Sequence, residues 1–299
     1  MLQPPNGNSA SFPLRLWTVS WKLVLFVGLF LILYIPFVLP YIKFPETEYE
    51  TLASAFGRAQ IEFLAMVTVI LATLAMTRYV DRKPMATVGF TTRAMFKDFG
   101  VGSGVGIVLL MVLLGILGVF DCVRVGTGRG PFDSELLWTT LALLFNTVQQ
   151  EVLIHGYVQQ MVRSKFGSAA GVVVSSILLV ILHWTLFQAD ALLLLTNLFA
   201  AGVLLGLAFL YSRSLWLPIG IHFGWNYIQG PILGMPLTSV DLWNSDLVYV
   251  VGSEYLTGGS MGLEGGIVGS VVLVAAAAIM YRKWMQKLSQ NHELEHSFP

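Results

Sequence analysis

Eight apolar runs, most of them near the length that crosses a hydrocarbon layer, leave this chain few folds to choose from. They are Leu23 to Ile42, Ile61 to Thr77, Gly100 to Phe120, Glu135 to Arg163, Ala169 to Phe187, Ala191 to Tyr211, Leu215 to Ile228 and Gly265 to Tyr281. A helix needs about 20 apolar residues to span a bilayer core. Inside that core every backbone N–H and C=O must find its partner within the protein, which favours helices. The expected fold class is all-α, a polytopic membrane helix bundle of about eight transmembrane helices. Composition agrees: 56% of residues are hydrophobic and 11% charged, against about a quarter charged in soluble domains.

The first run is too long for a cleaved signal peptide and has no small-residue cleavage site after it, so it reads as a retained span. The expected organisation is a disordered cytoplasmic tail over residues 1–20, a single transmembrane domain over 21–285 and a polar C-terminal tail over 286–299. The seventh run is short for a crossing, and the apolar Pro231 to Leu237 can complete it. An acidic loop carries Glu46, Glu48 and Glu50.

Placement of the basic residues gives an orientation. With the amino terminus cytoplasmic, the inner side holds Arg15, Lys22, Arg78, Arg82, Lys83, Arg93, Lys97, Arg163, Lys165, Arg213, Arg282, Lys283 and Lys287, and the outer side only Lys43, Arg58, Arg124 and Arg129. Such asymmetry predicts a multi-pass protein with both termini cytoplasmic, and the cell membrane is the expected location. Trp17, Trp21, Trp138, Trp216 and Trp284 lie near run ends, as interfacial anchors do. The balance of 17 basic and 17 acidic residues gives no basis for nucleic-acid binding. The expected partners are the lipid bilayer and a membrane-associated protein or peptide.

Within the fourth run, Gln149-Gln150-Glu151-Val152-Leu153-Ile154-His155-Gly156 places a carboxylate and an imidazole four residues apart, on one helical face. Ionisable groups at membrane depth are costly and point to function. Candidate partners are His183, His222 and Asn226, the last two again four apart. Counted from the cytoplasmic helix ends at ~1.5 Å per residue, these five residues fall between roughly 10 and 21 Å deep, one slab of membrane. Structural readings stand beside this one. Glu151 and His155 also suit a hydrogen bond within one helix, His183 a satisfied core histidine, and His222 with Asn226 a polar contact between helices. Three of the five histidines are intramembrane; His292 and His296 belong to the polar tail.

Two other features read as structural. Glycines at 100, 102, 104 and 106 mimic a phosphate loop, but a dinucleotide fingerprint needs a strand and a soluble βαβ unit, so close helix packing is expected here and at Gly202 and Gly206. Cys122, the single cysteine, falls at a predicted helix end, far from the polar cluster.

The polar constellation resembles the family of CAAX proteases and bacteriocin-processing enzymes, the CPBP or Abi family. Its motifs are Glu-Glu-x-x-x-Arg, Phe-x-x-x-His and His-x-x-x-Asn or Asp on successive helices. Here they read Gln150-Glu151-Val152-Leu153-Ile154-His155 followed by Gly156-Tyr157, then Leu179-Val180-Ile181-Leu182-His183, then His222-Phe223-Gly224-Trp225-Asn226, across roughly residues 135–230. The resemblance implies intramembrane proteolysis, in the best-known members removal of a C-terminal tripeptide from a prenylated protein. It implies that the first Glu, with the second-motif His, activates water, that the third-motif His and Asn stabilise the oxyanion, and that the second Glu and the Arg brace the site. The family has also been described as metalloendopeptidases.

This chain departs where the chemistry is most demanding. Gln150 stands at the water-activating position, and an amide is no general base near neutral pH. His155 replaces Arg, and Leu179 replaces Phe, a change that conserves volume. Three readings follow: a peptidase with Glu151 as base, a zinc site built from His155, His183 and His222, or a pseudoprotease acting as a membrane scaffold. A proton-coupled transporter has the right residue types but would show inverted repeats, and none is visible.

Overall fold

The computed structural model describes residues 11–43, 54–126, 128, 135–183, 192–238 and 245–296. The fold is all-α apart from one small two-stranded sheet. Its helices are α1 (Phe12–Lys43), α2 (Ala55–Ala75), α3 (Met95–Val119), α4 (Leu136–Glu151), α5 (Gln159–Phe166), α6 (Ser168–Leu182), α7 (Leu192–Ser212), α8 (Trp216–Tyr227), the single-turn α9 (Glu254–Thr257) and α10 (Ile267–His296). A π-helical turn, Val152–Val158, joins α4 to α5, so the fourth expected helix is one rod with a widened turn in it. Within the described residues, each expected run contains a helix. Among the described residues five helices are long and apolar enough to cross a membrane, and Ser168–Leu182 is a shorter apolar one. The rod containing α4 falls outside that group, and α8, at 12 residues, is too short for it.

Several boundaries differ from the sequence reading. The first helix begins at Phe12, taking in residues assigned to the tail, because Phe12, Leu14, Leu16 and Trp17 extend its apolar character. The last helix runs on to His296, through most of the polar C-terminal segment, where Lys, Gln, Glu and Leu are good helix formers. The fifth helix stops at Leu182 with His183 as its C-cap. The acidic loop residues Glu46, Glu48 and Glu50 lie outside the described residues. Of the expected tryptophan anchors, Trp17 is 66% exposed but Trp284 only 8%. Trp216 also turns inward, donating from Nε1 to the Thr91 carbonyl at 2.7 Å.

Large apolar side chains point outward, among them Val24, Ile32, Val108 and Val271, as expected where the surrounding medium is hydrocarbon and not water. At one end of the bundle Lys22, Lys83, Arg163, Lys165, Arg213 and Lys287 line a common cleft. All six belong to the basic set expected on one membrane side. Lys22 also pairs with Asp81, tying α1 to the turn that follows α2.

Glycines set how closely α3 and α8 approach. A Cβ on Gly102 would lie 2.3 Å from the Leu217 carbonyl oxygen, and one on Gly106 2.2 Å from that of Ile221. From the other helix, a Cβ on Gly220 would meet the Phe99 oxygen at 2.3 Å and one on Gly224 the Ser103 oxygen at 2.4 Å. The alternate glycines Gly100 and Gly104 face open space. The glycine-rich start of α3 is therefore a packing surface, as expected, with one stripe of it used. Gly202 and Gly206 bring α7 equally close to Ser176 and Gln159.

The sheet was not anticipated. β1 (Val123–Val125) pairs antiparallel with β2 (Val248–Val250), Arg124 opposite Tyr249. Arg124 donates to both oxygens of Asp121, 2.9 Å each, and this pairing holds the exposed Asp121 carboxyl below its usual range. The glycine-rich segment after β2 then turns back to place Glu264 beside α8.

Candidate active site

Between α2, α4, α6, α7 and α8 lies a cavity of about 420 Å³, within the usual size of a small-ligand site. Gln150, His183, His222 and Asn226 all line it. Three stretches far apart in sequence thus meet, as their depths predicted. Each is positioned by a local device. His183 caps α6, and its Nδ1 donates to the Leu179 carbonyl at 2.8 Å, leaving Nε2 as the free ring nitrogen. His222 and Asn226 ride on the glycine-clamped α8. After them a π-helical turn, Ile228–Ile232, accommodates Pro231, which has no N–H to continue the α-helix.

Glu151 is adjacent to Gln150 but faces elsewhere, being rotated about 100° around the helix. It is fully buried and does not line the cavity. Its Oε1 accepts from His222 Nδ1 at 2.9 Å, and its Oε2 lies 3.9 Å from His155 Nε2. The carboxylate therefore orients His222 and leaves that ring's Nε2 for the cavity, as an orienting acid does for a catalytic imidazole. His155 sits deeper still, wholly buried, with Nδ1 against Gln159 Oε1 at 2.7 Å. Gln159 is itself fixed by donating to the Gly206 carbonyl at 3.0 Å, so its oxygen is the end that meets the imidazole. The π-turn that carries His155 loosens the helical hydrogen bonds, and Gln160 Nε2 covers the His155 carbonyl at 3.1 Å. Such turns recur at functional sites.

Sequence reasoning missed six polar residues of the cavity wall: Arg58 and Glu62 on α2, Thr139 and Asn146 on α4, and Thr238 and Glu264 from the segments after α8. Gln149 Nε2 donates to Glu62 Oε2 at 2.5 Å and Asn146 Nδ2 donates to the same oxygen at 3.1 Å. Gln150 Nε2 in turn donates to Asn146 Oδ1 at 2.8 Å, which leaves Gln150 Oε1 buried with no donor. Glu264 accepts from Trp225 Nε1 at 3.1 Å and from Gln229 Nε2 at 2.9 Å. The signal for Glu62 was available, since a lone carboxylate inside an apolar run is costly wherever it occurs. Cys122 is buried at the end of α3 and is not part of the cavity.

The zinc set proposed from sequence does not fit this geometry. Zinc needs three nitrogens about 2.0–2.1 Å from one point. His183 and His222 line the cavity, but His155 is enclosed behind Glu151 with one nitrogen committed to Gln159. Among the described residues no group of three His, Cys, Asp or Glu side chains is arranged to hold a metal. Chelator treatment is accordingly expected to leave turnover unchanged, checked by assaying purified protein before and after dialysis against a strong chelator. Loss of activity restored by Zn²⁺ would contradict this reading of the donors.

Fold and site together define an integral membrane protein with a polar, histidine-bearing cavity enclosed by its helices. Residues 132–228 match the family model described as Type II CAAX prenyl endopeptidase Rce1-like. The resemblance expected from the three motifs is thereby shown over the part of the chain that carries them, roughly a third of its length. No curated protein and no solved structure matches the chain.

Proposed function

We propose that this chain is an intramembrane endopeptidase that hydrolyses a peptide bond of a membrane-associated protein, with prenylated C-terminal segments as the substrate class the family match suggests. It is a multi-pass protein of the cell membrane with both termini cytoplasmic. The observation that carries this reading is the cavity shared by His183, His222 and Asn226, with His222 oriented by the buried Glu151. The Asn226 amide donates to a developing oxyanion, joined by His222 Nε2–H when that ring carries both protons against the Glu151 carboxylate, and His183 presents its Nε2 as an acceptor to the attacking water. Apolar walls from Leu179, Leu204, Leu205 and Ile221 suit a substrate that arrives from lipid.

A second reading, a catalytically silent scaffold or binding protein, is favoured by one observation: Gln150, where the family has its first Glu, faces the cavity. The two readings separate in a reconstituted assay. Purified protein in liposomes is offered a panel of prenylated and unmodified membrane peptides, and cleavage products are identified by mass spectrometry. The peptidase reading expects cleavage by wild type, reduced about 10²–10³-fold by Asn226→Ala, the usual cost of losing one oxyanion donor, and reduced also by His183→Ala. Wild-type protein that cleaves nothing, with cleavage appearing only on Gln150→Glu, would establish the silent reading instead. Cleavage indifferent to both His183→Ala and Asn226→Ala would remove this cavity as the site.

A further inference from the structure

Resting on the peptidase reading above, we infer that Glu62 of α2 is the general base of this site, a carboxylate supplied from a different helix where Gln150 has none. Three carboxylates surround the histidine cavity, and their hydrogen bonds distinguish them. Glu151 has its Oε1 held by His222 and its Oε2 without a donor, but it is fully buried and outside the cavity wall, so neither oxygen reaches the cavity. Glu264 lines the wall, but each of its oxygens is taken, Oε1 by Trp225 and Oε2 by Gln229. Glu62 also lines the wall, and its hydrogen bonds fall on one oxygen alone. Oε2 accepts from both Gln149 and Asn146, while Oε1 accepts none among the described residues.

The amide chain also places Glu62 close to the position it replaces. Asn146 bridges the two residues, donating to Glu62 Oε2 and accepting from Gln150 Nε2. That polarity turns Gln150 Oε1 into a buried acceptor without a donor, and a buried acceptor left unpaired costs about 1–3 kcal/mol. A water molecule has two O–H groups, and two residues of this wall carry an open acceptor, Glu62 at Oε1 and His183 at Nε2. His183 thereby holds the water by one hydrogen bond, and Glu62 takes the proton from the other.

The chemistry balances without any further reactant. The water oxygen bonds to the scissile carbonyl carbon as its proton passes to the Glu62 carboxylate, and the carbonyl π pair moves onto oxygen, facing His222 and Asn226. When that pair returns, the C–N bond breaks and the protonated Glu62 gives its proton to the departing nitrogen. One water is consumed, one acid and one amine form, and the carboxylate is regenerated.

The competing explanation is that Glu62 only ties α2 to α4. Glu62→Gln separates the two, because glutamine keeps a carbonyl oxygen for Gln149 and Asn146 yet cannot accept a proton near neutral pH. With a peptide that wild type cleaves, Glu62→Gln is expected to lower kcat about 10²–10⁴-fold, the usual contribution of general base catalysis, with KM and melting temperature unchanged. The double variant Glu62→Gln with Gln150→Glu moves the carboxylate one amide along the wall and is expected to recover kcat above the single variant. Wild-type turnover by Glu62→Gln would overturn the assignment, as would a kcat loss that follows a fall in melting temperature and is not recovered by the double variant. Failure of wild type to cleave any peptide would count instead against the peptidase reading on which the assignment rests.

Discussion

Changing Glu151 to Gln is expected to reduce kcat by up to about 10⁴-fold while leaving the protein folded, the magnitude seen where an acid that orients a catalytic histidine becomes an amide. Glu151 touches no part of the cavity, yet it determines which nitrogen of His222 faces it. As a carboxylate it only accepts, so His222 must donate from Nδ1 and present Nε2. An amide carries no charge, so it can face His222 with either its oxygen or its NH₂ and cannot hold the ring in the doubly protonated state that puts a charged Nε2–H toward the oxyanion. The fold should persist because the side chain keeps its volume. Steady-state kinetics on the reconstituted protein, alongside its melting curve, measure both halves of the expectation. A variant with wild-type kcat would mean that the contact between Glu151 and His222 serves packing alone.

The second large effect belongs to the helix contact behind the site. Gly106→Val is expected to destabilise the protein by about 1–3 kcal/mol or more, as overpacking does, and to remove activity with it. The added Cβ would meet the Ile221 oxygen at 2.2 Å and the Trp225 nitrogen at 2.8 Å. Both are backbone atoms of α8 on either side of His222, so no side chain can rotate away and α8 itself must shift. Gly104→Ala, two residues earlier on the same helix, supplies the control. Nothing lies within 4 Å of its Cβ, and alanine favours a helix by about 0.8–1.0 kcal/mol over glycine. Thermal melts in detergent should separate the two variants; equal melting temperatures would show that the α3 and α8 contact is looser than described here.

Much of this protein was legible in its residues, and the reason is the medium. Lipid offers backbone groups no partners, so apolar runs had to become helices, and basic residues had to sit at their ends. Within the described residues each of the eight runs contains a helix, and six basic residues share one cleft. Motif spacing also located His183, His222 and Asn226, because helical periodicity fixes which residues of one helix share a face and depth. Where the boundaries moved, at Phe12, Leu182 and His296, local helix propensity and capping prevailed over the limits of the apolar runs.

Which neighbour each face meets was not legible, and the chemistry turns on that. Gln150 and Glu151 are consecutive, and no pattern along one strand of text says which of them looks into a cavity. Packing of α4 against both α2 and α8 decides it, sending Gln150 toward the space beside His183 and Glu151 toward His222. Glu62 lies 84 positions before Asn146, beyond any local periodicity, and the glycine-rich segment gives no hint that it returns Glu264 to α8. The sequence by itself determined a membrane bundle that carries histidines within its apolar runs. The tertiary structure alone decided which carboxylate meets the histidine and which meets the cavity, because that choice depends on contacts between helices rather than within them.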